Sequence, residues 1–341
     1  MTPSARLDSM AWDSRRILAR LQSFLGLVVI FILAILISPK TGAGERIFLE
    51  AGNLTDILRQ AAEIGVMALG MTLVILSAGI DLSVGSTLAL AATITAMVLT
   101  RWNPDSGAGT RIFVAMLAAL AACAAVGALN GALIVSLRIQ PFIVTLATMI
   151  GIRGLARRLT DNTNIDLGFG HDAASTFARV GSGKTLVVTI FAALSIMTGI
   201  VLTRTVFGRR VKAVGDNERA AFYAGLPIGR TRIWVYLLCG LLSGVAGILH
   251  AAQNHQGNPN AGISYELDAI AAVVIGGTSL SGGSGSITGT VVGTLITGIL
   301  TNILRLNNVD SNTELILKAV IIIAAVWIQQ IRISPLARRK T

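Results

Sequence analysis

Apolar residues in this chain come in long runs, separated by short polar breaks. Crossing the hydrocarbon core of a bilayer takes about 20 mainly apolar residues. Measured with that ruler, the sequence predicts helices near residues 21–38, 56–77, 84–101, 112–137, 141–159, 185–203, 232–251, 265–280, 286–304 and 314–331. The third, eighth and ninth of these are rich in Gly and Thr. The expected fold is an all-α integral membrane protein of about ten transmembrane helices, with both termini in the cytoplasm. A tail at 1–20 would precede a membrane domain at 21–331, and a second tail would follow at 332–341. The basic N-terminus ahead of Phe24–Ile37 resembles a signal peptide. No A-x-A cleavage site follows it and further apolar runs do, so a retained first helix is expected.

Composition agrees with the runs. Hydrophobic residues make up 53% of the 341 and charged residues 13%, where a soluble domain carries about 25% charge. The net charge of +11 brings nucleic acid to mind, but its placement gives a simpler reason. With the N-terminus inside, the cytoplasmic pieces are 1–20, 78–83, 138–140, 204–231 (with Arg232 at its edge) and 332–341. They hold 16 of the 28 basic residues and 5 of the 17 acidic ones, which is the entire excess; the rest of the chain balances at 12 against 12. Positive charge on the inner side is the signature of membrane orientation, and no nucleic-acid partner is needed. Loops 39–55, 160–184 and 252–264 then face outward, and 204–231 is the longest inward one.

Chemistry-bearing motifs are few. Gly181-Ser-Gly-Lys-Thr185 looks like the end of a phosphate-binding loop, but the full pattern needs glycine where Ala178 stands. No strand precedes it, and the topology places it outside, so a loop leading into a helix near Lys184 is expected. Cys123 and Cys239 sit in apolar runs and read as small core residues. His250 and His255 are expected in an outer polar loop, and His171 in the 160–184 loop. Glu63 is expected to pair with Arg59 across one helical turn. Asp81 breaks an apolar run, and either caps the next helix together with Ser83 or contacts a solute or gate. Arg153 lies near the outer end of the fifth span. Glu266 and Asp268 open the eighth at its outer end, where they would answer Arg153 or meet a partner. Ala78–Ser86 (AGIDLSVGS) and Gly276–Ser284 (GGTSLSGGS) share five of nine positions, a hint of an internal repeat. Within 204–231, residues Asn217–Ala224 can form a short helix, capped by Asp216 or Asn217 and stopped by Gly225-Leu-Pro227, suited to docking on a partner.

Glu218-Arg219-Ala220-Ala221 through Gly225-Leu226-Pro227 resembles the EAA…G coupling segment of ATP-binding-cassette importer permeases, with Arg219 where that family usually has glutamate. Gly79-Ile-Asp81-Leu-Ser83-Val-Gly85, Arg138-Ile-Gln140-Pro141-Phe142-Ile143, Arg153-Gly154 and Glu266-Leu-Asp268 through Gly277 are similar to the ribose/galactose/xylose-type branch. The Gln140–Phe142 string and the stretch after Glu266 most resemble galactofuranose-type permeases. The resemblance covers about residues 54–331. It implies a non-catalytic subunit without a cofactor, translocating a monosaccharide of the ribose or galactofuranose kind across the bacterial inner membrane. ATP and Mg would be held by separate ATPase subunits docked on 204–231. A second permease protomer, the same or homologous, and a periplasmic sugar-binding protein would complete the assembly within the lipid bilayer. Gly79, Asp81, Ser83, Asn130, Gln140, Pro141, Phe142, Arg153, Glu266 and Asp268 become candidates for the pathway or its gates. The rival reading is an ion-coupled secondary transporter of a small polar solute, with Glu63 or Asp81 titrating. No nucleophile–base or metal constellation suggests an enzyme.

Overall fold

The structure, a computed structural model, describes residues 24–323 apart from 43, 104, 169–171, 311 and 322. His171 and most of the expected last span therefore lie outside the described residues. The helices are α1 (Phe24–Ile37), α2 (Ala51–Leu76), α3 (Val84–Arg101), α4 (Ala108–Leu137), α5 (Pro141–Leu159), α6 (Ala173–Gly181), α7 (Lys184–Arg204), α8 (Val206–Asp216), α9 (Glu218–Tyr223), α10 (Ile228–Gln253), α11 (Tyr265–Ile275) and α12 (Ile287–Leu306). Residues 312–321 are helical too. Six of these, α2, α3, α4, α7, α10 and α12, are long and apolar enough to cross a membrane. Strands β1 (Ile165–Asp166) and β2 (Gln256–Gly257) form a short antiparallel clip between two loops, Ile165 facing Gly257.

Burial runs opposite to apolarity. The two most apolar helices, α4 and α7, are only 28% and 22% buried along their spans, whereas α2 and α3 are 78% and 72% buried. In water that arrangement would leave the most apolar surface wet; in lipid the outermost helices must be the most apolar. Inside, helices touch through glycine. Gly127 and Gly131 of α4 lie against the backbone of Tyr236 and Ile233, and Gly240 of α10 lies against Cys123. Backbones this close leave no room for a Cβ, so packing replaces the hydrophobic effect as the force between helices. Cys123 is free and buried at the last of these contacts, and Cys239 is free and buried against Gly70 of α2.

Four expectations are corrected. The span expected at 265–280 is an α11 of 11 residues, about 16 Å at 1.5 Å per residue and too short to cross, because Gly277 ends it in a left-handed turn. Segment 204–231 is not a loop around one short helix. It contains the amphipathic α8, whose Thr205 hydroxyl accepts the N–H of Gly208 at 3.2 Å. Segment 160–184 contains α6, capped by Asp172 accepting from Ser175 at 2.9 Å. His250 stands not in a loop but on α10, buried.

The two echoed segments occupy like places, following α2 and α11 and preceding α3 and α12. Ala78 (φ +60°) and Gly277 (φ +87°) take the same left-handed turn. The N–H of Gly79 then reaches Val74 at 3.0 Å, and that of Thr278 reaches Val273 at 3.1 Å. Structure aligns 78 with 277 rather than 276, one residue off the sequence echo. The loops also touch, the Gly283 N–H donating to the Leu76 carbonyl at 3.0 Å.

Candidate functional site

Three places gather the candidate residues. The first is the loop between α2 and α3. Asp81 is 2% exposed, and a buried carboxylate persists only where donors surround it. Its Oδ1 accepts the N–H of Ser83 at 2.9 Å and the Ser83 hydroxyl at 2.6 Å. Asn130 on α4 donates to Ser83 Oγ at 2.9 Å and accepts from Thr148 of α5 at 2.6 Å. A chain of hydrogen bonds thus ties the loop to α4 and α5. The Ile80 carbonyl is held as well, by Thr145 at 3.2 Å and by the Tyr236 hydroxyl at 3.4 Å. Gly79 lies under Tyr236, where a Cβ would strike the phenol oxygen. Thr145, Thr148 and Tyr236 belong to this network, and only tertiary placement reveals them. Gln140, Pro141 and Phe142 stand at the start of α5, with Pro141 at the first helical position and Phe142 half exposed. The carbonyls of Pro141 and Phe142 meet this network through the Thr145 hydroxyl, at 3.0 and 3.4 Å.

The second place is the exposed end of 204–231. Asn217 accepts the N–H of Ala220 at 2.9 Å and so caps α9. Gly225, at φ +72°, closes it with the N–H of Leu226 returning to Ala221 at 3.0 Å. Ala221 is buried while Phe222 and Tyr223 are 69% and 86% exposed, their rings 5.9 Å apart edge to face. Arg219 is exposed. Glu218 makes a two-point ion pair with Arg232 of α10 at 2.9 and 2.7 Å. Behind α9, Gly215 of α8 presses on the Leu76 carbonyl, and its Cβ position would lie 2.8 Å from the Gly283 nitrogen.

The third place joins α5 to the segment before α11 and to the cavity beside it. Arg153 donates to the carbonyls of Pro259 and Ala261 at 2.9 and 2.5 Å, not to Glu266 or Asp268. Glu266 sits against Gly85, whose Cβ position is 2.7 Å from its Oε2. Asp268 pairs with Lys318 at 3.0 Å, and Lys318 with Glu314 at 3.0 Å. The expected Arg59–Glu63 pair is corrected. Arg59 turns to Asp56 at 3.3 Å and Gln253 at 2.8 Å, while Glu63 hydrogen-bonds His250 at 2.6 Å. A polar cavity of about 260 Å³ opens among α2, α10, α11 and α12, with Glu63, His250, Tyr265, Asp268 and Arg305 in its wall. By sequence these residues are scattered from 63 to 305, and no local pattern announces the cavity. Among the described residues no three of His, Cys, Asp and Glu stand together as a metal site.

The sequence matches the protein family described as "Branched-chain amino acid transport system / permease component" over residues 53–326. It is 40% identical over 311 residues to the ribose import permease protein of Escherichia coli, covering 90% of this chain and 92% of that one. The ribose import permease protein of Bacillus subtilis is 40% identical over 319 residues, covering 92% and 94%. The galactose/methyl galactoside import permease protein of Haemophilus influenzae is 35% identical over 324 residues, covering 91% and 94%. No solved structure matches the chain.

Proposed function

The chain belongs to this family of transport-system permease components, and on that premise we propose that it is the membrane subunit of an ATP-binding-cassette importer carrying a ribose-like monosaccharide across the bacterial inner membrane. Two protomers, identical or homologous, would form the pathway with ten spans each and both termini in the cytoplasm. Separate ATPase subunits would hold ATP and Mg, and a periplasmic sugar-binding protein would deliver the sugar to the outer loops.

One observation carries the mechanism. The exposed aromatic pair of α9 is joined to the membrane core with no slack. α9 is bolted to α10 by Glu218–Arg232, and α8 bears directly on the Leu76 carbonyl and on Gly283. A partner that grips Phe222 and Tyr223 in a cleft and moves them must therefore move the two echoed loops. Those loops set the ends of α2 and α11 and the starts of α3 and α12. Asp81, Ser83 and Asn130, tied to one of them, would gate the pathway, with Gln140, Pro141 and Phe142 beside them. Arg153, Glu266 and Asp268 shape its outer side. Identity to the ribose permeases, 40%, exceeds that to the galactose permease, 35%, which favours a ribose-like cargo. No finding favours the ion-coupled alternative: Glu63 is held by His250 and Asp81 by Ser83.

Proteoliposomes decide between them. Vesicles with this protein alone should accumulate no labelled ribose under a proton or sodium gradient. Vesicles that also contain the ATPase, with binding protein outside and ATP inside, should. Gradient-driven uptake by the permease alone would overturn the reading.

A further inference from the structure

A groove of about 230 Å³ runs between α4 and α7, floored by α2 and α10, and exposes no polar atom. Leu73, Leu120, Met197, Val201, Leu238 and Leu242 are in its wall. It opens between the two least buried and most apolar spans, so bilayer lies outside it and a water-soluble ligand has no route in. Along α7 the groove residues Leu194, Met197 and Val201 share a face with Arg204, at steps of three and four. From Leu194 to Arg204 is ten residues, about 15 Å along the axis, or half of a hydrocarbon core of about 30 Å. The groove therefore has the reach of one leaflet, and its face ends on a cation. α8, which packs on α2, α7 and α10, adds Arg209 and Arg210 directly after that end. Arg204 and Arg209 are exposed and Arg210 half exposed, and among the described residues none of the three makes an ion pair.

We propose that this groove holds an acyl chain of an anionic phospholipid from the inner leaflet, with its phosphate among Arg204, Arg209 and Arg210. The apolar wall supplies chain affinity and the unpaired arginines supply headgroup choice, as basic pockets between helices on the cytoplasmic side do. The site has a consequence for coupling. Gly208 of α8 presses on the carbonyls of Val201 and Leu202, so a chain seated beside Val201 stiffens the elbow through which α9 must act.

The test uses the full-length protein, delipidated in mild detergent. It is titrated with dioleoyl-phosphatidylglycerol, dioleoyl-phosphatidylcholine or soluble glycerol phosphate, and bound lipid is counted by native mass spectrometry. One phosphatidylglycerol per protomer should be retained, with a preference of about tenfold or more over phosphatidylcholine. Replacing Arg204, Arg209 and Arg210 together by Gln should remove the preference. Met197→Trp should lower retention of both lipids, since position 197 is 53% exposed in the groove wall and the indole fills it without changing charge. If either variant fails to elute as a folded monodisperse species, Val201→Trp reports on the same groove. Equal retention of the two lipids by the native protein would overturn the proposal, as would undiminished retention in the Trp variant. Tight binding of glycerol phosphate that the Trp variant leaves intact would show a phosphate site with no chain, and would overturn it equally.

Discussion

At the scale of single residues, Asp81 shows how a carboxylate can be kept in the middle of an apolar bundle. Its oxygen is answered twice by Ser83, and Ser83 is answered by Asn130. Breaking such a chain costs more than one hydrogen bond, because each stranded buried group loses about 1–3 kcal/mol. Asp81→Ala should therefore lower the unfolding temperature in detergent clearly and abolish uptake. Asp81→Asn, which keeps an acceptor but loses the charge, separates geometry from electrostatics. Wild-type melting and uptake in both would remove Asp81 from the site. Asn130→Ala strands Ser83 and Thr148 together and should cost about 2–4 kcal/mol, read as a lower melting temperature. Sequence alone finds the Asp81–Ser83 contact, because Asp-x-Ser is a local pattern, but the expected cap is corrected: the bonds stop at Ser83 and no side chain caps the start of α3. Sequence does not yield Thr148, which meets Asn130 from another helix. Likewise Glu63 and His250 are 187 residues apart, and an i,i+4 rule applied to Glu63 finds Arg59 because that rule sees only one helix.

At the scale of elements, short helices carry the interfaces. α9 is six residues long, below what a free peptide sustains, so its caps decide whether it exists. Gly225 holds φ +72°, a conformation that costs a bulky side chain about 1–2 kcal/mol. Gly225→Leu should leave the protein inserted and stable but uncouple ATP hydrolysis from sugar uptake in the reconstituted system. Normal coupling would retire α9 as the docking element. α6 depends on Asp172 in the same way. The N–H of Ser175 holds its carboxyl below the usual carboxylate range, so the cap is fully present above about pH 4 and is lost as pH falls through the lowered value. Asp172→Ala should speed amide exchange over 173–181 at neutral pH, while Asp172→Asn should not; the native protein should match the Ala variant only in acid. α9 and its caps are legible in the sequence, because N-caps and stop signals are local. α8 and α6 are less so, since each is stabilised by the surface it lies on, and an amphipathic eleven-residue stretch among arginines reads equally as a connector.

At the scale of the whole molecule, orientation is the largest claim, and charge placement makes it testable. On the proposed orientation Tyr223, 86% exposed on α9, and Asp161, whose side chain is 87% exposed in segment 160–184, should lie on opposite sides of the membrane. Both native cysteines are buried, so background labelling is low. In intact spheroplasts a membrane-impermeant maleimide should label Asp161→Cys and spare Tyr223→Cys. Inverted vesicles should show the reverse. Labelling of both from one side would sink the topology.

The sequence by itself determined that this chain lives in a bilayer and where its main helices run. Each of these follows from transfer free energy and helix geometry summed along a local stretch. The long helices α2, α4, α5, α7, α10 and α12 lie within a few residues of the expected runs for that reason. Tertiary structure decided which residues of each helix meet a neighbour, although hydropathy already ranks the helices, the most apolar α4 and α7 being the least buried. It also decided that the run at 265–280 stops after 11 residues, and that the two echoed loops meet each other beneath α8. Those outcomes depend on close backbone contacts between residues far apart in the chain, such as Gly215 on Leu76 and Gly283, and a one-dimensional pattern carries no term for them.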